Sequence, residues 1–171
     1  MLLRREVPAD EPAVESVVAR AFATGDGAEP VEVGLLRALR AGPDWLPRLS
    51  WVAVDAQDRV VGHAVCSVAH VGSAPVVALG PVAVRPRLQG RGTGTALVHA
   101  LLGAADVLGA PLVALLGEPA FYGRFGFVAG TSLGVLPPEP SWGPYFQVRT
   151  LTAYAPRVRG PFQYAPPFRD L

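Results

Sequence analysis

Between residues 82 and 94 the chain reads Val82-Ala83-Val84-Arg85-Pro86-Arg87-Leu88-Gln89-Gly90-Arg91-Gly92-Thr93-Gly94. A hydrophobic strand ends at Pro86, three glycines follow at alternate positions, and a helical pattern starts inside them. Glycines at such a turn allow positive φ and let a ligand approach the backbone closely. The first N–H groups of a helix have no intrahelical partner, and the helix dipole places partial positive charge at that end. A strand, glycine turn and helix in this order make an anion site, and a pyrophosphate suits it. Arg85, Arg87 and Arg91 add positive charge around the turn. Taken alone, the turn has a plainer alternative, a glycine-rich connection that does no more than start a helix.

Two other nucleotide motifs fail here. A Walker A loop needs Gly-Lys-Ser/Thr, and all fifteen basic residues of this chain are Arg. The missing Lys also removes any Schiff-base mechanism. A dinucleotide fingerprint needs a third glycine where Thr95 or Leu97 stands, and an acid near the position held by Ala114. The strand before the turn is unusual, because Gly80-Pro81 interrupts its apolar run from Ala74 to Val84. Proline removes a ladder N–H, so it belongs at an edge or a bulge. A bulge there splays the strand from its neighbour and frees backbone groups of Val82, Ala83 and Val84 for an extended, amide-bearing ligand. Pantetheine is such a ligand.

The elements that hold these residues follow from pattern. Leu2 to Arg5 predicts a first strand. Asp10 reads as an N-cap for a helix carrying Val14, Val17, Val18, Ala21 and Phe22, broken by Thr24-Gly25-Asp26-Gly27. A second helix fits Val31 to Arg40. The runs 51–54 and 60–68, joined by Asp55-Ala56-Gln57-Asp58, predict a hairpin. The run 74–84, a helix over 92–108 and a strand at 112–116 form a β-α-β crossover, with helical turns at 120–125 and β-like pieces at 146–151 and 160–164. The order β-α-α-β-β-β-α-β-α-β implies a mixed α/β (α+β) fold with mostly antiparallel strands.

The 171 residues suit one domain, and half of them are apolar. A formal net charge of +1 gives no global attraction to nucleic acid or an anionic membrane. Charges within Met1 to Glu6 do not suit a signal peptide, and no apolar run approaches the ~20 residues of a membrane span. Cys66 is the one cysteine and there are three His, which argues against a metal site and for a small core thiol in a cytoplasmic protein.

The chain resembles the GNAT superfamily of N-acetyltransferases. Gln89-Gly90-Arg91-Gly92-Thr93-Gly94 matches the family's Gln/Arg-x-x-Gly-x-Gly/Ala motif, and Val82-Ala83-Val84-Arg85-Pro86 matches its V-x-V-x-P lead-in. Gly117-Glu118-Pro119-Ala120-Phe121-Tyr122-Gly123-Arg124-Phe125-Gly126-Phe127 is similar to a stretch of a bacterial predicted-acetyltransferase branch. The resemblance spans roughly residues 2 to 130. It implies a single domain over 1–171, with 131–171 a β-rich extension, and a mostly antiparallel sheet flanked by helices around a β-α-β acetyl-CoA-binding unit.

The resemblance further implies acyl transfer from acetyl-CoA to an amine by direct attack, with acetyl-CoA as co-substrate and no metal. Val82 and Val84 would hold pantetheine, with Ala83 between them, and Gln89, Gly90, Arg91, Gly92, Thr93 and Gly94 the pyrophosphate. Tyr122 would protonate the leaving thiolate, and a backbone N–H near Val82 would meet the oxyanion. Glu118 stands as a base through water or, more simply, as a charge at a helix start. His63, His70 and His99 offer no clear base. Trp45, Trp142, Tyr145 and Phe146 either line an acceptor pocket or cover the core. The acceptor, a small molecule or a peptide amine, is not specified, and a homodimer stays open. The alternative function is a non-catalytic acyl-CoA-binding or regulatory module on the same fold.

Overall fold

The computed structural model of the protein describes residues 1–25 and 27–170; Asp26, within the expected break after the first helix, lies outside them. The strands are β1 (Leu2–Arg5), β2 (Trp45–Val54), β3 (Val60–Val71), β4 (Ala74–Val84), β5 (Leu112–Leu116), β6 (Val128–Ala129), β7 (Val135–Leu136), β8 (Phe146–Thr150) and β9 (Gly160–Tyr164). The helices are α1 (Glu11–Ala21), α2 (Val31–Ala41), α3 (Thr93–Val107) and the single turn α4 (Pro119–Tyr122). The main sheet runs β1-β2-β3-β4-β5-β8-β6, with β9 added to the end of β3 and β7 paired to β9. All pairs in the main path are antiparallel except β4 with β5, the crossover that α3 bridges.

Helices cover both faces. On one, α3 buries Leu97, Val98, Leu101, Leu102 and Ala105 against Ala64, Cys66 and Leu115. On the other, Val14, Val17 and Val18 of α1 pack with Val33 and Leu36 of α2 over Val52 and Val65. The helix residues recur at helical spacing, so each helix buries one side, whereas successive residues of β3 face opposite helices and are buried on both sides.

Three expectations change in detail. The hairpin is longer than the apolar runs suggested, because β2 begins at Trp45 and β3 continues to Val71. Asp10 holds the N-cap position of α1, but its side chain makes no cap bond to the helix. Its carboxylate takes a bidentate pair from Arg4 at 2.6 and 2.9 Å and the Val7 N–H at 2.9 Å, which pins β1 to the helix start instead. The tail adds two short strands, β6 and β7, beyond the pieces expected at 146–151 and 160–164.

The sheet splits where Gly80-Pro81 stands. Against β3, Ala64 pairs with Val82 but Cys66 pairs with Leu79, so β4 carries one extra residue between them. The Gly80-Pro81 peptide, cis, occupies that bulge. Against β5, pairing is confined to Val77 with Val113 and Ala78 with Ala114. Beyond Ala78 the two parallel strands diverge. A bulge bends its strand and increases the local twist, which is the physical cause of the opening.

Candidate active site

The divergence of β4 from β5 leaves two concavities, one on each side of the opened edge. The first, the glycine cleft, has a volume of about 400 Å³ and is lined by Val82 and Val84, the turn at Gln89 to Thr95, and Phe121, Tyr122 and Arg124. The second, the aromatic pocket, has about 630 Å³ and lies between the split strand ends, α2 and the C-terminal segment. Val82 and Tyr122 belong to both walls.

In the glycine cleft the backbone provides the polar groups. Gly90 and Gly92 have φ of 71° and 86°, the left-handed region that disfavours other residues. Ala96 N–H to the Gly92 carbonyl, at 2.9 Å, is the first bond of α3. Among the described residues, no backbone acceptor takes the N–H groups from Gly90 to Thr95. Six successive donors at a helix start form a ready anion cradle.

The edge of β4 sorts its residues by direction. Arg85 N–H bonds the Val61 carbonyl at 2.9 Å, so the antiparallel alternation turns Ala83 toward His63. Val82 and Val84 then direct their N–H and C=O groups to the open edge. Ala83 was expected to share that exposure, and the ladder places it inside the sheet instead. Gln89, by contrast, stays at that edge and lines the cleft: its Nε2 donates to the Val84 carbonyl at 3.0 Å and ties the turn to the strand. Thr93 is buried with its methyl under β3, since a Cβ on Gly62 would lie 3.1 Å from it. Arg91 is exposed and is not part of the cleft lining. Thr95, Phe121 and Arg124, which the sequence reading passed over, do line it. The Arg124 guanidinium lies 4.3 Å above the Phe121 ring, and its Nε donates to the Phe121 carbonyl at 2.9 Å.

Tyr122 is half-buried at the junction, with Phe121, Phe125 and Phe127 around its ring. Burial pushes its phenol up to about 12. The hydroxyl is therefore neutral near pH 7 and retains a proton to give. Among the described residues it makes no hydrogen bond. Its ring sits directly over Gly117, where a Cβ would approach to 2.4 Å of Cε2. Gly117 is itself held at both ends: its N–H bonds the Tyr145 carbonyl and its own carbonyl accepts from Gln147 Nε2, each at 2.9 Å. Gly117 entered only as the first residue of the 117–127 stretch, whereas Gln147 is buried on β8 and was not singled out by the sequence. Nothing in its local pattern marks it, because its contact is thirty residues away.

Glu118 Oε1 accepts the Ala120 N–H at 3.4 Å, the cap of α4, while its exposed carboxylate also lines the aromatic pocket. Of the four aromatics considered for an acceptor wall, Trp142 lines that pocket. Phe146 is fully buried core, Tyr145 is half exposed, and Trp45 packs beside Arg40 and the α2 core. Tyr164, Phe168 and Phe22 complete the wall unforeseen. Cys66 is buried under α3 with its thiol pushed up by burial, and His99 stands exposed with its ring edge-on to Phe125 at 5.0 Å.

His63 belongs to a separate buried network. Its Nε2 lies 2.9 Å from Ser50 Oγ and 3.0 Å from Glu6 Oε2, and Glu6 also pairs with Arg40. Burial pushes the His63 imidazole down against the pull of Glu6, so it is neutral. Burial alone would raise the Glu6 carboxyl, but hydrogen bonds from His63 and Ser50 and the Arg40 charge hold it below its ordinary range. None of these four residues lines either concavity. Among the described residues no group of acidic, His and Cys side chains could hold a metal.

Comparison with known proteins matches the same residues. Residues 21–127 fit the acetyltransferase (GNAT) family. The uncharacterised N-acetyltransferase YhbS of Escherichia coli strain K12 is 33% identical over 129 residues, covering 74% of this chain and 73% of that protein. The crystal structure of E. coli YhbS in complex with CoA superposes with a TM-score of 0.86 at 28% identity, over 98% of this chain and 91% of that one. A GNAT family acetyltransferase from Brucella melitensis, in complex with acetyl-CoA, gives a TM-score of 0.79 at 31% identity, over 98% and 97%.

Proposed function

The chain belongs to the GNAT acetyltransferase family, and from that premise we propose that it transfers an acetyl group from acetyl-CoA to an amine by direct attack in a ternary complex. The observation that carries this reading is the shared wall. Val82 and Tyr122 stand where the glycine cleft and the aromatic pocket meet, so a donor in one and an acceptor in the other touch at those two residues. The CoA and acetyl-CoA complexes of the two relatives support the donor.

The donor's pyrophosphate lies against the N–H groups of Gly90 to Thr95, with Arg124 beside it. Its pantetheine amides extend along the open edge of β4 and bond Val82 and Val84. The thioester carbonyl carbon then faces the aromatic pocket. An amine nitrogen attacks it, and the Val82 N–H meets the developing oxyanion. Tyr122 protonates the sulfur as the C–S bond lengthens. A thiol near ~8.5 is a stronger acid than a phenol, so the phenol serves only if held neutral and close. An ordinary phenol is already neutral near pH 7, and the seat of its ring against Gly117 holds it at the junction of the two concavities.

Two measurements test this. Acetyl-CoA should raise the thermal midpoint while ATP and NAD leave it unchanged. A shift with ATP and none with acetyl-CoA would sink the reading. Thiol release from acetyl-CoA in the presence of amines should fall about 10²- to 10⁴-fold in Tyr122→Phe, with the KM for acetyl-CoA nearly constant. Tight CoA binding without turnover on any amine would instead favour a non-catalytic binding module.

A further inference from the structure

The aromatic pocket has the opposite charge character to the glycine cleft. Its lining holds two carboxylates, Glu32 in the first turn of α2 and Glu118 after β5, and no cationic side chain. Glu32 is half-buried and has no hydrogen-bond or ion-pair partner among the described residues. The arginines of the same helix are committed elsewhere: Arg37 pairs with Glu15 and Glu29 at 2.7 and 2.9 Å, and Arg40 with Glu6. The two acids therefore leave a net negative potential inside a concavity whose remaining surface is largely apolar.

The rest of the wall is aromatic. Tyr164 stacks on Phe168 with centroids 4.7 Å apart, and Trp142 meets Tyr164 edge-on at 6.2 Å. Phe22, Leu35 and Leu79 close the other sides. Ring faces attract an ammonium group, and apolar walls favour an apolar body. A carboxylate brought here meets two like charges and no compensating cation. A second ammonium or a peptide amide would be desolvated against Leu and Phe with few polar partners.

We infer that the pocket selects a primary amine carried on one aromatic or branched apolar group, with no carboxylate and no second charge. The inference rests on the acetyl-transfer reading above and names its acceptor. The amine arrives as the ammonium, drawn by Glu32 and Glu118. It gives one proton to water through the exposed Glu118 carboxylate, and the freed nitrogen bonds the thioester carbonyl carbon. The C–S bond breaks, Tyr122 gives its proton to sulfur, and the second nitrogen proton returns to the Tyr122 oxygen. The products are a neutral amide, the CoA thiol and one proton in solvent. Glu32 acts as a specificity residue, because it attracts the cation without approaching the reacting atoms.

The test is thiol release from acetyl-CoA with four acceptors: phenethylamine, phenylalanine, spermidine and an Nα-acetyl-lysine amide. The kcat/KM for phenethylamine should exceed each of the others by at least about tenfold. Glu32→Gln should raise the KM for phenethylamine about tenfold with kcat and the KM for acetyl-CoA little changed, and Glu32→Arg should narrow or invert the preference over phenylalanine. Preference for phenylalanine, spermidine or the lysine amide in the unmodified protein would overturn the acceptor class while leaving acetyl transfer intact. So would a Glu32→Arg enzyme with unaltered selectivity. If acetyl-CoA binds and no amine is turned over, titration of phenethylamine into the CoA-loaded protein decides: no binding overturns the inference, and binding supports it. Failure of acetyl-CoA itself to bind would fall on the underlying reading.

Discussion

The glycine cleft and the aromatic pocket share Tyr122 and Val82, yet they are built from different material. The cleft takes its polar groups from the backbone of one turn and one strand edge, Val82 to Thr95, and adds three side chains near residue 122. The pocket takes almost everything from side chains, and those come from segments as distant as Phe22 and Phe168. A backbone site needs particular glycines at particular intervals, so it writes its spacing into the chain. A side-chain site needs only that the fold bring suitable groups together, and it leaves no interval to read. Gly90 and Gly92 of the cleft accordingly stand at φ values that other residues disfavour, whereas most of the pocket's wall is set by the identity of its side chains.

The sharpest way to break this division is at the junction itself. A methyl group on Gly117 would come within 2.4 Å of the Tyr122 ring and force it aside. Gly117→Ala should lower kcat about 10²-fold through misplacement of the phenol, while calorimetric CoA affinity stays within about threefold. An equal loss of both would mean that the two regions are not separable. Next in size is the cleft alone. Gly92 sits at φ 86° with open space around its Cβ direction, so Gly92→Ala meets backbone strain and no clash. That strain, of about 1–2 kcal/mol, should weaken CoA binding roughly tenfold and leave the KM for the amine unchanged. A normal CoA affinity in that variant would show that the turn's left-handed geometry is dispensable.

The smallest expected effect belongs to a region outside both. His63 is neutral in the fold and protonates near 6.5 when unfolded, so acidification loads protons onto the unfolded chain first. Glu6 acts in the same direction at lower pH, because its folded carboxyl lies below the ordinary 4.5 and its contribution is lost as pH falls from there through the folded titration. Both signs make the protein less stable in acid. The thermal midpoint should drop by roughly 5 °C between about pH 7 and pH 5. A midpoint that stays level or rises over that interval would contradict the neutral, buried state of His63.

The order of major elements was legible because apolar spacing alone dictates which face each must bury. The bulge at Gly80-Pro81 was legible for a different reason: proline cannot donate to a ladder, so its position constrains the sheet. Less could be read of direction within the site. Ala83 lies inside the motif, but the alternation of the β3–β4 ladder turns it toward His63, and Gln89 lines the cleft with its side chain bonded to the Val84 carbonyl. Asp10 has the residue type of a cap and instead serves Arg4, a contact that only the packing of β1 creates. Glu32 and Glu118 form no acidic run, being far apart in the chain, and so their common potential in one pocket had no sequence signature.

The one-residue excess of β4 over β3 has a genetic reading. Between Leu79 and Val82 the strand holds a single residue more than its partner requires, and past that point β4 no longer follows β5. A continuous sheet and one parted around two concavities thus differ, at that place, by one codon.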